Sequence, residues 1–342
     1  MTFGAAALTP GCMGDTGSGR TPTGTGSASP TGDGDCTELD QDVTIKSDAD
    51  MATLPKTGCY DIYGTLSIQG GTVTSLAGLN GLNSVNELDL DHTALTAFDT
   101  KNDVGIYGKL SVTSNAKLTN LDKLSFVSAS TGILIDSNPV LAMVSPLSVD
   151  DPKLAEVDGD VAITGNAALT AVDFKYLSKV TGAVTISNNP ALKSIDLSQL
   201  ATTGHVEVAD NVALTSLSGF AATTINGDLA IHHNTVLTTL GTMSALYRVT
   251  GNLMIHDNAA LTNLAAFTTS LKFVDQTLMI MDNAALTDLG DLKHLSLVGA
   301  ITITGNADLL ACRATEIDRC TQHPVASVIN TNKTSTCTPS CN

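Results

Sequence analysis

A repeat of about 23 residues runs through most of the chain and strongly restricts how it can fold. The clearest copies are GDLAIHHNTVLTTL (227–240), GNLMIHDNAALTNL (251–264) and GAVTISNNPALKSI (182–195). They share the pattern G-x-Φ-x-Φ-x-x-N-x-x-Φ-x-x-Φ, in which Φ is an aliphatic residue. Self-similarity at this period is typical of a solenoid, in which each coil buries the apolar face of its neighbour.

The asparagine of the pattern recurs in nine coils, with few changes in spacing. The nine residues are Asn115, Asn138, Asn166, Asn189, Asn211, Asn234, Asn258, Asn283 and Asn306. Two degenerate copies before them have Gly71 and Thr93 at this position, so we predict about eleven coils over roughly residues 60–310. Stacked asparagine side chains can hydrogen-bond to backbone groups, which predicts a structural ladder inside the solenoid rather than a ligand site.

The aliphatic positions predict short strands. In Φ-x-Φ both apolar side chains point to the same side, because side chains alternate along a strand. We therefore predict an all-β solenoid of parallel coils, each 22–25 residues long. A leucine-rich-repeat horseshoe is the alternative fold. It is less favoured because the leucine after each asparagine falls three residues later, as Leu237 and Leu261 do, and standard leucine-rich repeats place it two residues later.

The cysteines lie at the two ends of the repeat region. Cys36 and Cys59 stand at its start, and none follows until the C-terminal group of Cys312, Cys320, Cys337 and Cys341. This placement predicts disulfide-stapled end caps in an oxidising compartment. A zinc site formed by the last four cysteines and free thiols in a cytosolic chain are the alternatives.

The N-terminal sequence MTFGAAALTPGC resembles the end of a bacterial lipoprotein signal, with Cys12 as the lipidated residue. It departs from that pattern because no Lys or Arg precedes the short apolar stretch. We interpret residues 1–12 as a truncated signal remnant and 13–35, rich in Gly, Ser, Thr and Pro, as a disordered tether. The remaining divisions are an N-terminal cap (36–63), the solenoid (64–310) and a Cys-rich C-terminal cap (311–342). An unpaired cysteine in a disordered N-terminus is the alternative.

Repeat units such as residues 249–264, VTGNLMIHDNAALTNL, resemble the receptor L-domain repeat, and the resemblance covers most of the chain. It implies a right-handed parallel β-helix with disulfide-capped ends, an extracellular location and a binding or cell-wall role without catalysis. The chain is longer than a receptor L domain, so the receptor role itself is not implied. Together with Cys12, the resemblance predicts a lipid-anchored protein in the bacterial periplasm or on the extracellular face of the outer membrane.

The charge balance limits the partners. The net charge is −17, with only 17 Lys and Arg residues, which argues against nucleic acid and leaves a lipid anchor as the only predicted membrane contact.

Asp89 and Asp91 point outward from one strand, as the carboxylate pair of a carbohydrate-active β-helix enzyme would. A solvated strand face is the favoured interpretation, because no catalytic motif accompanies them. We predict no enzymatic activity, no cofactor and no metal.

One part of the outward strand face departs from its Ser, Thr, Asp and Ala composition. Adjacent rungs lie about 4.8 Å apart, so five unusual side chains should form one patch: His232, Met254, His256, Met279 and Met281. Methionine is adaptable at binding surfaces. The patch predicts a binding or adhesion surface for a protein or glycan at the cell surface. A copper(I) site, local packing without function, and a purely structural role in the cell envelope are the alternatives.

Overall fold

The computed structural model describes residues 36–126, 130–144, 154–330, 332–334 and 341. The predicted signal remnant (1–12), with Cys12, the predicted tether (13–35) and Cys337 lie outside these residues. Among the helices of the described part, none is long and apolar enough to cross a membrane.

The regular secondary structure of the described residues consists mostly of short strands joined by turns. The first half contains β1 (Thr37–Leu39), β2 (Val43–Ile45), β3 (Tyr60–Gln69), β4 (Leu82–Asp91), β5 (Val104–Ile106), β6 (Lys109–Thr113), β7 (Leu124–Phe126), β8 (Gly132–Asp136), β9 (Met143–Val144), β10 (Glu156–Val157), β11 (Val161–Thr164) and β12 (Ala171–Asp173). The second half contains β13 (Lys179–Val180), β14 (Val184–Ser187), β15 (Ser194–Asp196), β16 (Val206–Ala209), β17 (Ser216–Leu217), β18 (Thr224–Ile225), β19 (Leu229–His232), β20 (Arg248–Val249), β21 (Leu253–His256), β22 (Phe273–Met281), β23 (Leu297–Thr304) and β24 (Val328–Asn330). The helices are α1 (Ala311–Cys320) and three 3₁₀ turns, at Asp50–Thr53, Ala77–Leu79 and Leu292–His294.

The strands stack as a parallel β-solenoid of about twelve turns, which confirms the predicted fold class. The largest sheet has 18 strands, and smaller sheets of two strands (β10, β13) and four strands (β9, β12, β15, β17) form other parts of the wall. Each coil pairs in register with the next, as β19 does with β21 and β21 with β22. The sheet extends past the predicted 64–310 limits, because β1 and β2 pair with β3, and β24 pairs with β23.

The core is a continuous aliphatic column that fills the solenoid. Both Φ residues of each strand are buried, as Leu253 and Ile255 show, and so are the leucines of the second wall, such as Leu261 and Leu264. Phe267 is one of the few aromatic side chains in this interior. Each buried aliphatic contributes about 1.5–3 kcal/mol, and it does so only when another coil covers it, so stability accumulates by stacking.

The glycines that begin coils are required by close approach between coils. A Cβ added to Gly251 would lie 2.1 Å from Asp228 Oδ1, and one added to Gly182 would lie 2.1 Å from Asp160 Oδ1. Neither glycine has a positive φ. Glycine is therefore needed here because it leaves room for the adjacent coil to approach.

Disulfides staple both ends of the solenoid, as predicted. Cys36 is bonded to Cys59 and Cys320 to Cys341, and Cys312 is also disulfide-bonded. The Cys320–Cys341 bond removes two of the four thiolates that the alternative zinc site would need. Helix α1 and strand β24 follow the last full coil and cover the C-terminal end of the core, where Ala314 and Ile317 are buried.

Candidate functional site

The asparagine column lies inside the solenoid and is fully used by the fold. All nine predicted members are completely buried. Asn258 Nδ2 donates to the carbonyl oxygens of Ile231 at 2.8 Å and His256 at 3.0 Å, and Asn258 Oδ1 accepts from the backbone N–H of Asn234 at 3.2 Å. The same pattern passes from coil to coil, for example from Asn258 N–H to Asn283 Oδ1 at 3.1 Å. These side chains have no free group with which to bind a ligand.

The column is longer than the repeat pattern predicts. Thr93 begins it by donating to Asn115 Oδ1 through both its backbone N–H and its hydroxyl. Asn332 ends it, since Asn332 Nδ2 donates to the carbonyl of Ile303 at 3.0 Å and its Oδ1 accepts from Asn306 N–H at 3.1 Å. Asn332 does not follow the repeat pattern, because helix α1 replaces the usual coil residues before it.

A residue with positive φ stands directly before Thr93 and before each of the nine predicted asparagines. Ser114, Ser137, Asn188, Asp210 and others take φ values of 53–57° at this position. The column asparagines themselves do not have a positive φ. The turn residue ends the strand alternation, so its side chain leaves the strand in a new direction.

The structure brings the predicted patch residues together on two adjacent outward rows. One row contains Ala230, Met254 and Met279, and ends at Thr302; the other contains His232, His256 and Met281, and ends at Thr304. We call the five residues His232, Met254, His256, Met279 and Met281 the His/Met strip.

The side chains of the His/Met strip are half-buried, which corrects the expectation that its methionines are exposed. His232 and His256 expose only 18% and 19% of their side chains, and Ala230 is buried. Side chains in register on adjacent strands lie close enough to touch, so large ones reduce each other's exposure to solvent. The strip is therefore an ordered, partly dry surface.

A third histidine, missed by the strand pattern, completes a cluster at one end of the strip. Strict alternation would turn His233 away from His232, but His233 occupies the left-handed turn position with φ of 55°. Its Nδ1 lies 2.9 Å from the Nδ1 of His232. The position of His233 directly before Asn234 is the feature of the sequence that could have revealed it.

The three histidine rings are packed against one another. The rings of His232 and His256 stack with centroids 4.6 Å apart and planes within 4° of parallel. The ring of His233 stands edge-on to both, with centroids 5.1 Å from His232 and 5.4 Å from His256. One donor atom from each histidine lies within 4.8 Å of the other two, which is the arrangement of a candidate metal centre. We call His232, His233 and His256 the histidine cluster.

Carboxylates surround the histidine cluster. Glu207 Oε1 lies 3.3 Å from His232 Nε2. Asp257 Oδ2 lies 2.8 Å from His256 Nδ1 and 3.5 Å from His233 Nε2. Burial lowers the pKa of His232, and the neighbouring His256 acts in the same direction, whereas Glu207 opposes the shift. The lowered pKa favours the neutral form of His232, which can offer a nitrogen lone pair.

The other end of the same sheet face is acidic, and its carboxylates are engaged with neighbouring rungs. Asp89 Oδ2 accepts from the Ser67 hydroxyl at 3.1 Å, and Asp91 Oδ1 accepts from the Thr113 hydroxyl at 2.7 Å. The Thr113 hydrogen bond lowers the pKa of Asp91, and His92 adds to this effect. A glycosidase acid needs the opposite shift, so the lowered pKa of Asp91 does not favour that role for it.

Comparison with known proteins identifies the segment that contains the strip. Residues 222–321 match the model of the family described as Receptor L domain. No curated protein and no solved structure matches the chain. The matched segment includes β19, β21 and β22, which contain all five strip residues. Receptor L domains are a non-enzymatic family of binding domains. The matched segment is similar to this family, and the β-solenoid of the chain fits that likeness.

Proposed function

We propose that this protein is a non-catalytic cell-surface binding or adhesion protein whose His/Met strip contacts a protein ligand. The observation that supports this most strongly is the local change in composition. Three methionines and two histidines lie on adjacent rungs, inside the segment that matches a family of binding domains. The equivalent positions in the next coil are Thr302 and Thr304.

The geometry of the strip suits a protein surface. Its side chains project from paired strands that cannot move independently, so little conformational entropy is lost when a partner docks. Thioethers are polarisable and adapt to the shape of an apolar partner. The flanking Glu207 and Asp257 supply a polar rim, as protein interfaces commonly have around an apolar centre.

The proposed location is outside the cell, on a lipid anchor at Cys12. Stapled ends support an oxidising compartment, because disulfides persist there and are rare in the cytosol. The proposed tether (13–35) would hold the solenoid away from the membrane. Intact mass of the native protein tests this point: a diacyl or triacyl adduct on Cys12 in the membrane fraction is expected. An unmodified, reduced chain in the cytosol would contradict the location.

The ligand role is tested by capture from a solubilised extracellular fraction of the native host. The test variant is Met279→Thr with Met281→Thr, since Thr302 and Thr304 hold these positions in the next coil. The matched control is Asp89→Ser with Asp91→Thr at the other end of the face, where Ser111 and Thr113 are the equivalents.

We expect wild type and the control to retain the same proteins and the methionine variant to lose them. Equal retention by all three would reject the strip as the binding surface. Retention of glycan instead of protein would change the ligand class. No specific retention by wild type would favour a structural role in the cell envelope.

A further inference from the structure

We propose that the histidine cluster, His232, His233 and His256, is a binding site for a divalent transition-metal ion of the zinc and copper(II) class. The site does not depend on the proposed protein ligand, because all of its donors belong to this chain. It also goes beyond the strand pattern, which offers two histidines; the turn before Asn234 supplies the third.

The spacing of the donors fits a metal after a small adjustment. One donor atom from each histidine lies within 4.8 Å of the others. The Nδ1 atoms of His232 and His233 are 2.9 Å apart. Nitrogens bound at 2.0–2.1 Å around one tetrahedral ion stand about 3.4 Å from each other. His233 is half exposed, so its ring has room to rotate toward that geometry.

The surrounding carboxylates act as metal-site partners usually do. Glu207 faces His232 Nε2 at 3.3 Å, which favours a proton on Nε2 and leaves the Nδ1 lone pair directed toward His233. Carboxylate–histidine pairs of this kind fix the tautomer and raise the basicity of the ligand. Asp257, beside both His233 and His256, adds negative charge close to the bound cation.

The donor set selects the class of metal. Neutral imidazoles suit zinc and copper, whereas calcium and magnesium require oxygen ligands. Three protein ligands leave further coordination positions open toward solvent, as in sites where an exchangeable ligand completes the sphere. Met281 is the residue in register with His256 on the following rung, so it flanks the cluster without being needed to complete it.

The test is a titration of the untagged full chain with Zn²⁺ and Cu²⁺, read by isothermal calorimetry and native mass spectrometry. Test variants copy residues that the protein itself uses at equivalent positions. They are His233→Asn, because Asn188 holds the same turn position, and His256→Thr, because Thr304 holds the same strand position. The matched control is His92→Asn, since His92 shares the turn conformation with φ of 53° and lies outside the cluster.

We expect one ion per chain and tighter binding of Cu²⁺ than of Zn²⁺. The electron paramagnetic resonance spectrum of the Cu²⁺ complex should show couplings to histidine nitrogens. Each test variant should weaken binding by more than the roughly 10–100-fold typical of losing a supporting partner, and Glu207→Gln should fall within that range. His92→Asn should bind as wild type does. Unchanged affinity in His233→Asn, or an equal loss in His92→Asn, would overturn the site. Binding of Cu⁺ alone that depends on Met281 would also overturn it, in favour of a thioether site.

Discussion

The asparagine column lies inside the solenoid, just beyond the strand ends, and the His/Met strip lies on the outer face of the strands. Each is a row of aligned polar or polarisable side chains. The column continues through every coil from Asn115 to Asn306. Each member donates its backbone N–H to the Oδ1 of the next asparagine and its Nδ2 to a carbonyl of the preceding coil, as Asn115, Asn211 and Asn283 do. The strip occurs on only three rungs, and its neighbours have different side chains at the same positions. Side chains that repeat in every coil are therefore the ones that the fold requires. Side chains that differ on a few rungs are not required by the fold and are available for binding.

The largest effect on stability is expected at the centre of the column. Asn258→Ala leaves the carbonyls of Ile231 and His256 and the N–H of Asn234 without their partner. Buried unmet groups cost about 1–3 kcal/mol each, so we expect a loss of about 3 kcal/mol in the free energy of unfolding, measured by denaturant titration. The control is Asn263→Ala, a partly exposed asparagine of the same coil whose side chain bonds to Thr262 and Ala265 rather than to the column. Equal effects of the two substitutions would show that the column does not hold the coils together.

A smaller loss is expected at the end of the column. Asn332 is half-buried and has a column neighbour on one side, Asn306. Asn332→Ala should therefore cost about 1 kcal/mol, the typical net value of a hydrogen bond. Hydrogen exchange should show the faster opening near β23 and β24. A loss as large as that of Asn258→Ala would mean that the C-terminal cap, rather than the repeated coils, limits stability.

The smallest effect is expected on the strip. Met281→Thr places on this rung the residue found on the next one, Thr304. The free energy of unfolding should change by about 0.5 kcal/mol or less, as for most surface substitutions. Thermal unfolding followed by circular dichroism checks this. A loss comparable to that of Asn258→Ala would remove the distinction between a structural column and a binding strip.

The fold could be predicted from the sequence because the same spacing of aliphatic residues recurs in every repeat. Leu253 and Ile255, or Leu261 and Leu264, carry the pattern that fixes which side chains point inward, and the structure buries all four. The ends were harder to predict. Strands β1 and β24 pair with the stack although their sequences lack the repeat, because an exposed sheet edge can be covered by any segment with free backbone groups.

The candidate site could be predicted only where strand alternation applies. That rule places Met254, Met279 and Met281 on one face, as the register shows. It fails at His233, because the left-handed turn redirects this side chain toward His232. Half-burial of the strip was also not foreseen, since it depends on large side chains shielding one another across rungs.

The most direct test of the central claim is hydroxyl-radical footprinting of the methionines, with the purified chain compared before and after it captures its extracellular partner. Met143, which is 51% exposed and lies on β9 outside the strip, is the internal control. The account predicts that oxidation of Met279 and Met281 falls in the complex while that of Met143 does not change. Unchanged oxidation of Met279 and Met281, with protection of Met143 or of the acidic end around Asp89, would contradict it.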